Sequence, residues 1–172
     1  MLLSPSELPL RVKQWGKPLK AMLLKLKAKP PKDLDEIFEK YHNEAFKKID
    51  CLDCGNCCKT TSPMFFDKDI ERLSIALKMK PGAFIEKYLF MDTDGIYALK
   101  SAPCPFLGND NHCHVYDDRP KACRDYPHTN HRKMHTYLHL GAKNAEICPA
   151  VFNILEKLEE SIIESQGMKR KK

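Results

Sequence analysis

Four cysteines fall within eight residues, Cys51-Leu52-Asp53-Cys54-Gly55-Asn56-Cys57-Cys58, and four more, Cys104, Cys113, Cys123 and Cys148, follow at wide spacing. No other feature limits so strongly what this chain of 172 residues can fold into. Packing alone does not call for so many thiols. Thiolates two residues apart can converge on one soft or borderline metal, because a short loop wraps a single ion or cluster. A chain closed by metal needs less core, and 42% hydrophobic residues supply a modest one.

Disulfides are the first alternative. The chain starts MLLSPSELPLRVKQWGK, with Glu7 and Arg11 among scattered leucines. It lacks the apolar run of about 7–15 residues that a secretory signal needs. No stretch approaches the ~20 apolar residues of a membrane span. The expectation is a soluble, cytoplasmic protein whose thiols stay reduced. Neighbouring Cys57 and Cys58 would also need a strained bridge. Inert buried thiols can account for a single downstream cysteine, but not for the whole 51–58 loop.

Charge is uneven. Residues 1–32 carry eight lysines and arginines against Glu7 alone, a net +7. The tail at 169–172 adds +4, and the total is +6, so residues 33–168 carry −5. Leu19, Met22, Leu23 and Leu26 recur at i, i+3, i+4 and i+7, which predicts an amphipathic helix from Pro18 to Lys29. Pro18 suits its first turn and Pro30-Pro31 stops it. Pro5 and Pro9 argue against a regular element in residues 1–16. The basic segment offers a surface for an acidic partner, RNA or an anionic membrane, although Trp15 is the only aromatic there for RNA to stack on. The competing reading packs its apolar stripe on the body and leaves the lysines in water.

A second helix should start at Asp33 and Glu36, a capping pair, and run through Leu34, Phe38, Tyr41 and Ala45 toward Cys51. Asp67 is a candidate cap for a helix carrying Ile70, Leu73 and Leu77. Pro81 opens another, with Phe84, Ile85 and Tyr88. Asp94-Gly95 predicts a hairpin turn, with a strand at 96–100. Residues 101–131 read as loop. A final helix from Pro149 carries Val151, Ile154, Leu155, Leu158 and Ile162 on one face.

Cys51, Cys54 and Cys57 have the C-x2-C-x2-C spacing of cubane iron–sulfur sites, in which a further cysteine precedes proline. Two remote cysteines do so here, in Cys104-Pro105 and Cys148-Pro149. Cys148 would also stand at a helix start, where the dipole favours a thiolate. Gly55 allows φ > 0 inside the loop. Zinc uses the same atoms differently: eight thiolates divide into two tetrahedral sites of four. Its usual signature is two separated C-x2-C knuckles, which this chain lacks. Adjacent side chains diverge, so Cys58 is expected to play a role apart from Cys57. Either metal leaves a net −2 that donors must offset. Arg119 and Arg124 are the candidates, with His114 and His128 beside the cysteine segments as further donors or ligands. His131, His135 and His139, at i, i+4 and i+8, would share a helical face. No H-E-x-x-H, Ser-His-Asp, phosphate-loop or dinucleotide motif is present, so no catalytic acid–base set is identified.

Together these residues resemble the CxxCxxCC cysteine-cluster family, the YkgJ-like proteins described as zinc- or iron-chelating. The resemblance runs through CLDCGNCC at 51–58, Cys104-Pro105-Phe106-Leu107 and Cys113-His114-Val115-Tyr116. It continues through Arg119-Pro120-Lys121-Ala122-Cys123-Arg124-Asp125-Tyr126-Pro127 and ends at Cys148-Pro149. It implies a small metal-binding domain with mixed helices and little sheet, in which Cys51, Cys54, Cys57, Cys58, Cys104, Cys113, Cys123 and Cys148 are all potential metal ligands.

The expected fold is mainly α with a small β-hairpin, a compact, irregular, metal-stapled single domain. The expected organisation is a basic arm at 1–32, the cysteine-cluster domain at 33–166 and a basic tail at 167–172. The expected function is metal binding, foremost an iron–sulfur cluster of the 4Fe-4S type in an electron-transfer or oxidoreductase role. The alternative is a structural zinc module for interactions.

Overall fold

A computed structural model of the chain describes residues 3–165; the basic tail expected at 167–172 lies outside the described residues. The elements, in order, are α1 (Leu8–Ala28), α2 (Leu34–Phe46), α3 (Cys51–Cys54), α4 (Asn56–Thr60), β1 (Met64–Phe65), α5 (Asp67–Ala76), α6 (Pro81–Tyr88), β2 (Leu89–Met91) and β3 (Tyr97–Leu99). Then come α7 (Lys121–Asp125), a 3-10 turn (Met134–Thr136), α8 (Leu138–Ala145) and α9 (Pro149–Ser165). Mainly helical structure with a small antiparallel sheet is as the sequence predicts. None of the described helices is long and apolar enough to cross a membrane. Contacts group the described residues into two units, 3–50 with 127–165, and 51–126.

The first unit is helical. Its core unites Leu8, Trp15, Leu19, Leu23 and Leu26 of α1, Leu34 and Phe38 of α2, Leu138 of α8, and Val151, Phe152, Ile154, Leu155 and Leu158 of α9. Four residues of the predicted α9 stripe, Val151, Ile154, Leu155 and Leu158, are at most 1% exposed, Ile162 is only partly buried against them, and Phe152, outside the predicted stripe, joins the core. Trp15 meets Phe152 edge-on at 5.0 Å and its Nε1–H donates to Glu159 Oε2 at 2.6 Å. Arg11 pairs with Glu156 at 2.6 Å.

Three local expectations change here. Helix α1 starts at Leu8, ten residues before Pro18, because Pro9 lies in the first turn, where no intrahelical N–H is required. Pro18 sits inside the helix on its exposed side, where water can take the carbonyl bond it forgoes. Asp33 is the N-cap of α2 but makes no side-chain cap bond. Asp35 instead accepts the backbone N–H groups of Lys133 and Met134, at 2.6 and 2.8 Å, and fastens the 3-10 turn to α2. The histidines do not share a helix face. Lys133 has φ +60 and separates His131 from the 3-10 turn holding His135, and His139 follows in α8.

The second unit holds the sheet, ordered β1-β3-β2 and antiparallel throughout. The predicted hairpin is its β2–β3 half. Gly95 takes φ +77, and Asp92 Oδ1 accepts the N–H groups of Asp94 and Ile96 at 3.0 and 2.8 Å. Helix α5 is capped by Asp69 rather than Asp67: Phe66 is the N-cap residue and donates its N–H to Asp69 Oδ2 at 3.2 Å. Phe65, Ile70, Leu73, Phe84, Leu89, Leu99, Phe106 and Val115 form the core. Phe84, Tyr88 and Phe106 pack ring on ring, with centroids 5.0–6.2 Å apart. Cys104 and Cys113 rest against this core.

Candidate metal centre

The 51–58 segment folds as two short helical turns, α3 and α4, joined at Gly55. Gly55 has φ +55, a left-handed conformation that only glycine adopts without strain. Its N–H donates to Cys51 O at 2.8 Å, and Lys59 N–H returns to Gly55 O at 3.1 Å. The turn at 109–111 closes on the same spot. Asn111 Nδ2 donates to Asp53 O at 3.3 Å, and Asn111 Oδ1 lies 2.9 Å from where a Cβ on Gly55 would stand. Gly55→Ala should cost about 1–2 kcal/mol for the left-handed backbone, plus the displacement of Asn111. In denaturant titrations, adding Asn111→Ala should recover only the steric part. Full recovery would show that the backbone conformation carries no cost.

Two further segments are tied beside this loop. Cys104 N–H donates to Cys58 O at 2.8 Å. Leu107 and Cys113 form an isolated antiparallel bridge, and His114 N–H donates to Phe106 O at 2.8 Å, so Cys104 and Cys113 sit on the two arms of one small loop. The segment leading to Cys123 is held by a pair the sequence reading missed. Asp69, 2% exposed, accepts Arg72 Nη2 at 2.7 Å and Lys121 N–H at 3.1 Å. Arg72 also donates to the carbonyls of Asp118 and Arg119 at 3.2 and 3.0 Å. Nothing in the spacing around Asp69 or Arg72 advertises this; an acid and a base at i, i+3 usually form a surface pair.

The thiols sense one another. Cys57 and Cys58 have their Sγ atoms 4.0 Å apart, so these neighbours do not diverge as expected. The contact with Cys57, helped by the positive charges of Arg119 and Lys59, lowers Cys58 to about 7 against the effect of burial. Burial pushes Cys104 up to about 11, and the charges of Cys58 and Cys113 add to it. Burial also raises Cys113. Cys123 is pushed up to about 12 by burial, then by Cys58, Cys104 and Cys113. Four thiols on three segments thus lie within electrostatic reach of each other. Arg119 answers them: it favours the thiolates of Cys58, Cys113 and Cys123. Its guanidinium lies 3.6 Å over the Tyr116 ring, and its buried Nε–H has no hydrogen-bond partner among the described residues.

The other expected donors are placed differently. Arg124 is exposed and donates Nη1 to Arg119 O at 2.8 Å. His114 is exposed, with Nε2 near Gly108. His128 belongs to the helical unit, with Nδ1 3.2 Å from His131 Nε2 and its ring stacked on Tyr137. Cys148 also belongs to that unit, at the start of α9, where Phe152 N–H donates to Cys148 O at 3.0 Å.

Among the described residues, no three His, Cys, Asp or Glu side chains form a finished ligand shell. The donor chemistry nevertheless fits a thiophilic metal. Burial, with mutual repulsion added to it, raises the cost of ionising Cys104, Cys113 and Cys123, a bound cation offsets that cost, and the buried Nε–H of Arg119 is a donor for the sulfurs. Two thiolates on one tetrahedral zinc stand about 3.8 Å apart, given Zn–S of about 2.3 Å, and the Cys57–Cys58 spacing is close to that.

Residues 50–149 match the family model CxxCxxCC, described as a "putative zinc- or iron-chelating domain". No curated protein and no solved structure matches the chain.

Proposed function

The chain belongs to the CxxCxxCC family, and we propose that its thiols bind an iron–sulfur cluster of the 4Fe-4S type. Cys51, Cys54 and Cys57 would hold it, with Cys104 of Cys104-Pro105 completing the set. The observation that carries this reading is the backbone bond from Cys104 N–H to Cys58 O, which ties a remote Cys-Pro to the C-x2-C-x2-C loop. A bound cluster supplies one-electron transfer, in an electron-transfer or oxidoreductase role. The chain's own contribution is to position and to tune. The 2.8 Å backbone bond and the Gly55 turn hold the segments in register, the aromatic core backs the partly buried Cys104 and Cys113, and Arg119 offers charge and an N–H to the sulfurs. The remaining cysteines, Cys58, Cys113, Cys123 and Cys148, are further ligands in this reading, and its setting is the reducing cytoplasm.

A specific observation supports zinc as the second reading. Cys58, Cys104, Cys113 and Cys123 lie within electrostatic reach of one another, and four is the number of thiolates a tetrahedral zinc site takes. Metal and acid-labile sulfide analysis of anaerobically purified protein separates the two. Iron and sulfide in near-equal amounts, with a broad visible band, are expected. Colourless protein with stoichiometric zinc and no sulfide would overturn the cluster and leave the zinc site.

A further inference from the structure

Within the helical unit, α1 and α8 enclose an open groove of about 360 Å³. Its floor is apolar, made by the buried Leu23 and Leu138 with Ala142. Leu24 stands on one wall, 69% exposed. The walls are cationic on both sides, with Lys20 and Lys27 on α1 and Lys143 on α8. These lysines take part in none of the ion pairs seen among the described residues. Glu146, at the end of α8, is the one carboxylate that lines the groove. Helix α1 itself contains no acidic residue.

We propose that this groove docks an acidic amphipathic segment of a protein partner, its apolar side chains on the Leu23–Leu138 floor and its carboxylates against Lys20, Lys27 and Lys143. Three features favour this occupant. First, Lys20 and Lys27 are seven residues apart, about 10 Å along the helix, which is the span of i, i+3/i+4 and i+7 anchors on a docked helix. Second, cations on two walls match several carboxylates, whereas a fatty-acid anion brings one. Third, the groove is concave and the apolar stripe of α1 is committed to the core, so a flat bilayer would reach little more than Leu10 and Leu24. RNA would want aromatic platforms, and the groove lining offers no Phe, Tyr or Trp, only the ring of His139. Glu146 repels carboxylates at its own end of the groove.

The probe is a labelled synthetic peptide of about 14 residues, with leucines on one helical face and glutamates elsewhere, titrated into the full chain. Saturable binding that weakens with salt is expected. Lys20→Glu with Lys143→Glu, and separately Leu24→Asp, should each weaken it at least about tenfold. Lys47→Glu with Lys48→Glu, the same charge change on exposed positions outside the groove, should leave it unchanged. All the substituted positions are exposed, and circular dichroism checks that the variants stay folded. The proposal is overturned by no saturation up to about 1 mM, by equal binding of a scrambled peptide of the same composition, or by equal loss in the Lys47/Lys48 control. Stoichiometric displacement of the peptide by dodecanoate would assign the groove to a fatty-acid anion instead. Binding to phosphatidylserine vesicles that the Lys20/Lys143 variant abolishes, without peptide binding, would assign it to a membrane.

Discussion

A chain lacking residues 1–32 should lose the helical unit, not merely a basic arm. Leu8, Trp15, Leu19, Leu23 and Leu26 are each no more than 8% exposed and pack into the core with α8 and α9. Burial of one such side chain contributes about 1.5–3 kcal/mol. Five of them amount to roughly 8–15 kcal/mol, as much as the whole stability of an ordinary domain. The truncated chain should therefore show no cooperative unfolding of that unit by circular dichroism or amide exchange. A truncated chain that folds normally would mean that α1 is dispensable. A finer test uses Trp15, the only tryptophan. It is buried and bonded to Glu159, so its emission should be blue-shifted and should move red on unfolding. Trp15→Ala should cost about 3–5 kcal/mol.

Asp69→Ala should destabilise the second unit by about 2–4 kcal/mol, slightly under the usual cost of breaking a buried pair because Arg72 retains some water. The carboxylate is 2% exposed and serves Arg72, Lys121 N–H and Phe66 N–H at once. Alanine strands all three donors, whereas Asp69→Asn keeps the shape and should cost less. The consequence should reach the thiols. Arg72 and Asp69 hold the backbone from 118 to 121, just ahead of Cys123. Released from that clamp, Cys123 should react faster with maleimide in metal-free protein, read by mass spectrometry at that residue. Unchanged reactivity, with the stability loss intact, would confine Asp69 to capping α5.

The contrast between these two predictions shows where local pattern suffices. The α9 stripe was legible because five positions repeat one helical period, and the hairpin because Asp94-Gly95 suits one turn geometry. The first half of α1 was hidden by Pro9, a residue that breaks helix interiors but is neutral in a first turn. The histidine spacing misled for the opposite reason: i, i+4, i+8 describes a face only if the helix is continuous, and Lys133 interrupts it with φ +60. Asp69 was overlooked because a helical acid is unremarkable until the loop at 118–121 is laid against it.

By itself the sequence determined the chemistry available to this protein: eight thiols, a loop of three at cluster spacing, two Cys-Pro steps, and an ordered motif that defines the family. Those are properties of residue type and near-neighbour spacing, which need no fold to read. Only the tertiary structure decided which thiols share a field. Cys58, Cys104, Cys113 and Cys123 come within reach of one another through the Cys104–Cys58 backbone bond, the Leu107–Cys113 bridge and the Asp69–Arg72 clamp. Each of the first and last of these joins residues some tens of positions apart along the chain. Local periodicity carries no information at that distance, and charge acts through space rather than along sequence.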